Sequence, residues 1–317
     1  MQYIVGIDIG GTSVKLGLIQ RGDGFRVVAQ SSIASQTSDP AEVFVERIAT
    51  AVKELIQKNG TPAVAGVGVG CPGLIDPWKG VVRTSPNLPN LPNFPLRDEL
   101  KQRLAMPIEI QNDANAAVLG EWIFSPASRG VRNLIVLTLG TGVGGGVVCD
   151  GHLLVGADNA ATELGHIKVE YSDGAPCGCG RRGCVEAYVG AAGIARIAQQ
   201  RLASGFRSRL NATALTTKDI AQAAAAGDAL AADVLKTVGG YLGRGMATLI
   251  DTFNPEKIVL AGGASAALEW LRPGIASALA EYASFPFTRD RCIIERSAFP
   301  DDINVIGAAA TYLNAQK

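Results

Sequence analysis

The chain has 317 residues, 47% of them hydrophobic, enough for two ordinary domains with sizeable cores. Lys plus Arg number 29 and Asp plus Glu number 29, so the formal net charge is zero. That balance lacks the basic excess with which nucleic-acid binders neutralise phosphates, and no run of like charge marks a tail.

Residues 3–9 and 14–19 read as strands flanking Gly10-Gly11, which predicts a hairpin. The opening segment holds an acid and no basic leader, so no signal peptide is expected. No stretch of 18 apolar residues predicts a membrane span, and a cytoplasmic protein is expected. Arg21-Gly22-Asp23-Gly24 reads as a plain turn before a strand over 25–32. Asp39-Pro40 predicts a helix start, a cap followed by proline at the first position. Phe44, Ile48, Ala51, Val52, Leu55 and Ile56 then recur at helical spacing until Gly60. A buried strand over 64–69, four prolines that impose irregular chain over 86–95, a strand over 108–111 and a helix over 114–121 follow.

The pattern then restarts with a strand over 134–139, a glycine-rich turn over 140–146, a strand over 147–149 and a tight Asp150-Gly151 turn. Helices are expected near 190–203 and 228–253, a strand over 258–261 ending in Gly262-Gly263, and a closing helix near 304–315. A strand–glycine turn–strand unit thus opens each half. This predicts two related α/β domains with a cleft between them, dividing near 115–120.

Asp8-Ile9-Gly10-Gly11-Thr12 lies where two strands meet. Glycines there let backbone N–H groups approach a phosphate, Thr12 adds a hydroxyl, and Asp8 could hold a magnesium ion. The run from Leu139 to Gly146 repeats the device with five glycines, more than a bare hairpin needs. Two stretches, 68–73 and 140–145, match the dinucleotide fingerprint G-x-G-x-x-G. Neither leads into a helix, so a nicotinamide enzyme is set aside, and no P-loop motif occurs.

Of six cysteines, Cys177, Cys179 and Cys184 crowd together after His166. Three thiolates and an imidazole make a closed tetrahedral set, the usual structural zinc arrangement; free thiols beside an unrelated histidine are the alternative. No position stays open for catalysis, and the C-x-x-C pair of nucleobase deaminases is missing. Asn112-Asp113 falls between a strand end and a helix start. Asp113 is the candidate base for a hydroxyl that attacks a γ-phosphate, or else merely the cap of its helix. Glu163 and Glu186 flank the metal-ligand residues and could accept a sugar's vicinal hydroxyls, although either alone reads as a surface acid.

With these motifs the chain resembles the ROK family of bacterial sugar kinases and repressors, nearly end to end. Asp8-Ile9-Gly10-Gly11-Thr12 is similar to its first phosphate motif, 139–146 to its second and 258–263 to its adenosine motif. Asn112-Asp113-Ala114-Asn115 looks like its catalytic segment. Glu163-Leu164-Gly165-His166 and 177–186 match its E-x-G-H and C-x-C-G-x-x-G-C-x-E patterns. The resemblance implies an actin-like ATPase (ribonuclease H-like) fold, with a small domain of 1–117 plus a helix at about 304–317. The large domain is then 118–303, with its zinc segment at 166–184. It implies ATP, magnesium and structural zinc as cofactors, with His166, Cys177, Cys179 and Cys184 on the zinc.

The resemblance also implies that Asn112, Asp113, Glu163, His166 and Glu186 touch sugar, with Gly73 and Asn87 lining the same cleft. Asp8, Gly10, Gly11, Thr12, Lys15, Gly140, Thr141, Gly142, Gly144, Gly145, Gly262 and Gly263 then face the nucleotide. One departure stands out: Asn159 and Thr162 occupy positions where the family usually has glycine.

The implied activity is ATP-dependent transfer to a hexose hydroxyl, expected to be that at C6, with glucose first and fructose, mannose, allose or N-acetylmannosamine as alternatives. A sugar-sensing repressor is disfavoured because Asp8 leaves no room for a helix-turn-helix domain ahead of it. A non-catalytic sugar-binding module is disfavoured by Asp113 and both phosphate turns. A dimer is expected, with no nucleic-acid or membrane partner.

Overall fold

The computed structural model describes residues 2–22, 24–60, 63–211, 215–300 and 302–316. Its first unit runs β1 (Gln2–Ile9), β2 (Ser13–Arg21), β3 (Phe25–Ala34), α1 (Ala41–Lys58), β4 (Val64–Cys71), β5 (Leu74–Asp76), β6 (Val81–Thr84), α2 (Leu96–Leu104), β7 (Ile108–Asn112) and α3 (Asp113–Phe124). The second runs β8 (Leu134–Leu139), β9 (Val143–Cys149), β10 (His152–Leu153), α4 (Glu186–Val189), α5 (Ala191–Ala203), α6 (Thr217–Ala225) and α7 (Ala229–Phe253). It continues through β11 (Lys257–Ala261), α8 (Leu268–Tyr282), α9 (Pro286–Arg291) and β12 (Ile293–Arg296) to α10 (Ile303–Asn314).

The strands form two five-stranded sheets, ordered β3-β2-β1-β4-β7 and β10-β9-β8-β11-β12. In each, an antiparallel meander supplies three strands and two further strands add in parallel. The same topology occurs twice, as the restarted sequence pattern anticipated. Central strands are apolar on both faces, as sheets covered by helices on each side require. Ile4, Val5, Ile7 and Ile9 of β1 and Ile258, Val259 and Leu260 of β11 are all buried.

Several local expectations need correction. Asp39 does not cap α1: the cap position is Pro40, with no side-chain bond, and the Asp39 carboxylate instead pairs with Arg47 at 2.6 Å. The cap of α3 is Asn112, whose side chain accepts from the N–H groups of Ala114 and Asn115. Asp113 is the first helical residue. The glycine run over 140–146 is only half a turn, because Gly144, Gly145 and Gly146 lie inside β9. Asp23 of the expected 21–24 turn lies outside the described residues.

The helix α10 returns from the end of the chain to the first sheet and lies on β1 and β4. Its approach is closer than ordinary helix-on-sheet packing. A β-carbon on Gly6 would run into the Val305 carbonyl oxygen, and one on Gly68 into that of Ala308. So Gly68, first glycine of the apparent dinucleotide fingerprint, serves helix packing. Gly70 differs, since its β-carbon would meet Ala116 at 3.5 Å, an ordinary contact. Gly68→Ala is therefore expected to destabilise the fold by about 3 kcal/mol, as overpacked sites do, and Gly70→Ala far less. Urea midpoints at unchanged m-value measure the difference.

Candidate active site

The cleft between the two units encloses about 690 Å³. Four segments meet in it. The β7–α3 junction brings Asn112 and Asp113, the turn between β8 and β9 brings Gly140, Thr141 and Gly142, with Gly144 and Gly145 following in β9, a loop brings Glu163 and His166, and α4 brings Glu186. Gly73, Asn87 and Gly262 complete the sequence-expected residues on its wall. Asp8, Gly10, Gly11, Thr12, Lys15 and Gly263 do not line it. Lys15 stands opposite Asp8 in the β1–β2 register, with its side chain exposed.

The first glycine turn is nevertheless held against the cleft. The buried Ser35 pins it from behind, its hydroxyl donating to the Gly10 carbonyl at 2.5 Å and its N–H to the Thr12 carbonyl at 3.0 Å. A β-carbon on Gly11 would come within 3.3 Å of the Asn87 carbonyl oxygen, so the turn abuts a cleft residue. Asp8 joins the wall through Asn304, whose amide donates to its carboxylate at 3.1 Å. Asn304 is a cleft residue that sequence reasoning missed. It belongs to no motif, and only the docking of α10 on β1 places it there.

Asp113 is half-buried at the head of α3. Burial, then the Asp8 charge and, more weakly, Glu163 push its carboxyl up to about 6, against an opposing N–H bond from Ala114. Burial also raises the Asp8 carboxyl, although the Asn304 hydrogen bond and the Lys15 charge lower it. Three acids from distant positions thus converge on one wall. The arrangement suits a proton acceptor working near neutral pH and a cation beside Asp8.

Glu186 is engaged in the second turn. One carboxylate oxygen accepts the Val143 N–H at 3.0 Å, and the other accepts the Cys177 thiol at 3.2 Å. It therefore joins the glycine turn to the cysteine cluster. In that cluster, donor atoms of His166, Cys177, Cys179 and Cys184 all lie within 4.8 Å of one another. Zinc–sulfur bonds of about 2.3 Å at tetrahedral angles require sulfurs about 3.8 Å apart. Cys179 and Cys184 have that separation, 3.8 Å, and Cys177 lies 3.7 Å from His166 Nδ1. Bonds from Cys177 N–H to the Arg181 carbonyl and from Gly180 N–H to the Cys177 carbonyl, 2.8 and 3.0 Å, shape a tight knuckle around the site. The residues fit a tetrahedral zinc. His166 Nδ1 faces the cysteines, which leaves Nε2 for the cleft.

The model of the ROK family matches residues 4–315. A glucokinase from Halalkalibacterium halodurans is 36% identical over 313 residues, spanning 96% of this chain and 93% of that protein. The chain belongs to the ROK family. A solved ROK family glucokinase from Streptomyces griseus, in complex with glucose and AMPPNP, superposes with a TM-score of 0.81. It is 30% identical and covers 99% of this chain and 100% of its own. The DNA-binding transcriptional repressor Mlc of Escherichia coli is 34% identical over 246 residues, 78% of this chain and 60% of its own length. The two sheets and their cleft are those of the actin-like ATPase fold that ROK sugar kinases share. Among the described residues, no helix is long and apolar enough to cross a membrane.

The charge on Asp113 opposes folding. Its carboxyl ionises near pH 6 in the folded chain and near pH 4 when unfolded, so the penalty appears as pH rises between those values and is complete above the upper one. Asp113→Asn, which keeps the acceptor oxygen for Ala114, is expected to raise the melting temperature at pH 7.5 and to lose that advantage by about pH 4. Calorimetry of both proteins across this range checks the sign.

Proposed function

We propose that this ROK protein transfers the γ-phosphate of ATP to a hexose hydroxyl, with glucose as substrate and glucose 6-phosphate as product. The observation that carries the reading is Asp113, an acid raised to about 6 beside two other carboxylates, on a cleft edged by glycine turns. Likeness to glucokinases over nearly the whole chain supports glucose.

In this reading the sugar lies against Asn112, Asp113, Glu163, His166 and Glu186, and Gly73 and Asn87 close its pocket. Asp113 takes the hydroxyl proton as that oxygen attacks phosphorus, and ADP leaves. Asn112 caps α3 and donates its amide to the Gly73 carbonyl at 3.1 Å, which fixes the base relative to the pocket floor. The turns at Gly10, Gly11 and Thr12 and at 140–145 present N–H groups to the phosphates, with Lys15, Gly262 and Gly263 serving the nucleotide. Asp8 would hold magnesium, which offsets phosphate charge when bound. His166, Cys177, Cys179 and Cys184 would hold zinc, which braces His166 and Glu186. A Cys177 thiolate on that metal donates no proton, so a Glu186 oxygen becomes free for a sugar hydroxyl.

The domain boundary is placed near 117, within α3, with α10 joined to the first unit. The same reading sets the protein in the cytoplasm as a dimer, feeding glucose into glycolysis.

ADP release with a hexose panel tests the reaction: glucose turnover is expected, and sugar binding without turnover by any hexose refutes it. Asp113→Asn should lower kcat by about 10²–10⁴-fold with sugar affinity changed far less. The acid limb of the parent's kcat/KM profile, near pH 6, should vanish with it. Glu163→Gln and Glu186→Gln should raise sugar KM more than they lower kcat. Elemental analysis should find one zinc per chain, and Cys177→Ser should lose zinc and sugar affinity together. Normal sugar binding in a zinc-free variant refutes the bracing role.

A further inference from the structure

Two residues just ahead of Glu163 hold a backbone that ordinarily calls for glycine. Asn159 has φ +56° and Thr162 has φ +68°, both in the left-handed region. Asparagine is tolerated there, but a β-branched threonine is not at ease. Each side chain makes bonds that glycine cannot.

The Asn159 side chain is buried, and its amide donates to the Ile75 carbonyl at 2.9 Å and to Gln111 Oε1 at 3.0 Å. Two acceptors fix which end of the amide faces inward. The same Gln111 oxygen accepts the Asn112 N–H at 2.7 Å. The chain of contacts therefore runs from the 159–163 loop into the residue that caps α3. Thr162 makes the second link: its single hydroxyl proton goes to the Ala161 carbonyl at 2.6 Å, and the Asn115 side-chain amide stands 3.1 Å from the same hydroxyl oxygen, where its NH2 end can donate. Asn115 lies one helical position beyond Ala114. Between these links and His166 sits Glu163. It has φ −69° and ψ +60° and is the centre of an inverse γ-turn closed by Leu164 N–H on the Thr162 carbonyl at 2.7 Å. Its direction is set by the residue before it.

We propose that Asn159 and Thr162 are positioning residues that staple the Glu163 loop to the β7–α3 junction, holding Glu163 and Asp113 in register for the sugar. This rests on the sugar-kinase reading above. Glycine at these positions would permit the same backbone without tying it. The staples also join a loop of the second unit to β5, β7 and α3 of the first. Glu163 then travels with Asp113 in any relative movement of the units.

The test uses the full chain with Asn159→Gly and Thr162→Gly, both compatible with the left-handed backbone. Thr162→Gly relieves the threonine's strain, so its melting temperature should match or exceed the parent's. Its glucose KM and calorimetric Kd should nevertheless rise about fivefold, the worth of one hydrogen bond. The KM for ATP should stay in place. Thr162→Ser, which restores the hydroxyl, should recover sugar affinity. Asn159→Gly, losing two bonds, should weaken glucose binding about tenfold or more. Glucose constants within about twofold of the parent's in both variants overturn the proposal, as does an equal rise in the ATP KM. Calorimetry reads glucose affinity without turnover, so a chain that binds glucose but does not phosphorylate it sinks the kinase reading and still decides the staples.

Discussion

A helix laid on a sheet with almost no side chain between them is the contact on which the site depends. Where α10 crosses β1 and β4, Gly6 and Gly68 leave room for its backbone. Where α10 crosses α3, Gly120 meets Gly307, and a β-carbon on Gly120 would stand 2.8 Å from the Gly307 backbone. Interiors this dense transmit displacement, because no slack exists to absorb it. The consequence is chemical. Asp8 is the last residue but one of β1, Asp113 starts α3 and Asn304 lies in the first turn of α10, so docking three elements closely brings their polar ends to one wall.

That convergence has an electrostatic cost. Burial and then the nearby Asp8 and Glu163 charges disfavour the ionised Asp113 carboxylate, and burial likewise disfavours that of Asp8. Local devices offset only part of it: the N-terminus of α3 with its Ala114 N–H, the Asn304 amide and the Lys15 charge. A protein selected for stability alone would replace one acid by an amide. The base proposed for Asp113, which must accept a proton near neutral pH, needs the raised value instead, and the close packing of α10 and α3 offsets its cost.

The sheets were legible in the sequence because their central strands are apolar runs bounded by glycine turns, and the duplicated topology followed from the restart at 134. The cluster of His166 and three cysteines was legible because metal ligation demands particular residue types at close spacing. Other features were hidden because sequence does not display packing distance. Gly68 looks the same in a phosphate turn as under a helix backbone. Asp39 looks like a cap until Arg47 is seen to reach it. Short elements such as α4, α9, β10 and β12 carry too few residues for a periodic pattern to emerge. Asn304 became a site residue only through a contact spanning 296 positions.

The second glycine run shows how one stretch can serve both chemistry and assembly. Its first half, Gly140 to Gly142, is a turn held by the Ala191 N–H on the Gly140 and Thr141 carbonyls and by the Glu186 carboxylate on Val143. Its second half is strand, and there the missing side chains admit neighbours. A β-carbon on Gly146 would stand 2.8 Å from the Ala114 carbonyl oxygen, and one on Gly144 3.2 Å from the Ala114 β-carbon. The first turn of α3, with Asp113 at its head, is thereby seated on the strand that leaves the glycine turn. Gly145 admits Leu164 in the same way, at 2.6 Å, and Leu164 follows Glu163. Three acids therefore take their positions from this one run: Glu186 by hydrogen bond, Asp113 and Glu163 by close packing. A larger residue in β9 would displace Asp113 and the Glu163 loop together, even though the turn itself stayed intact.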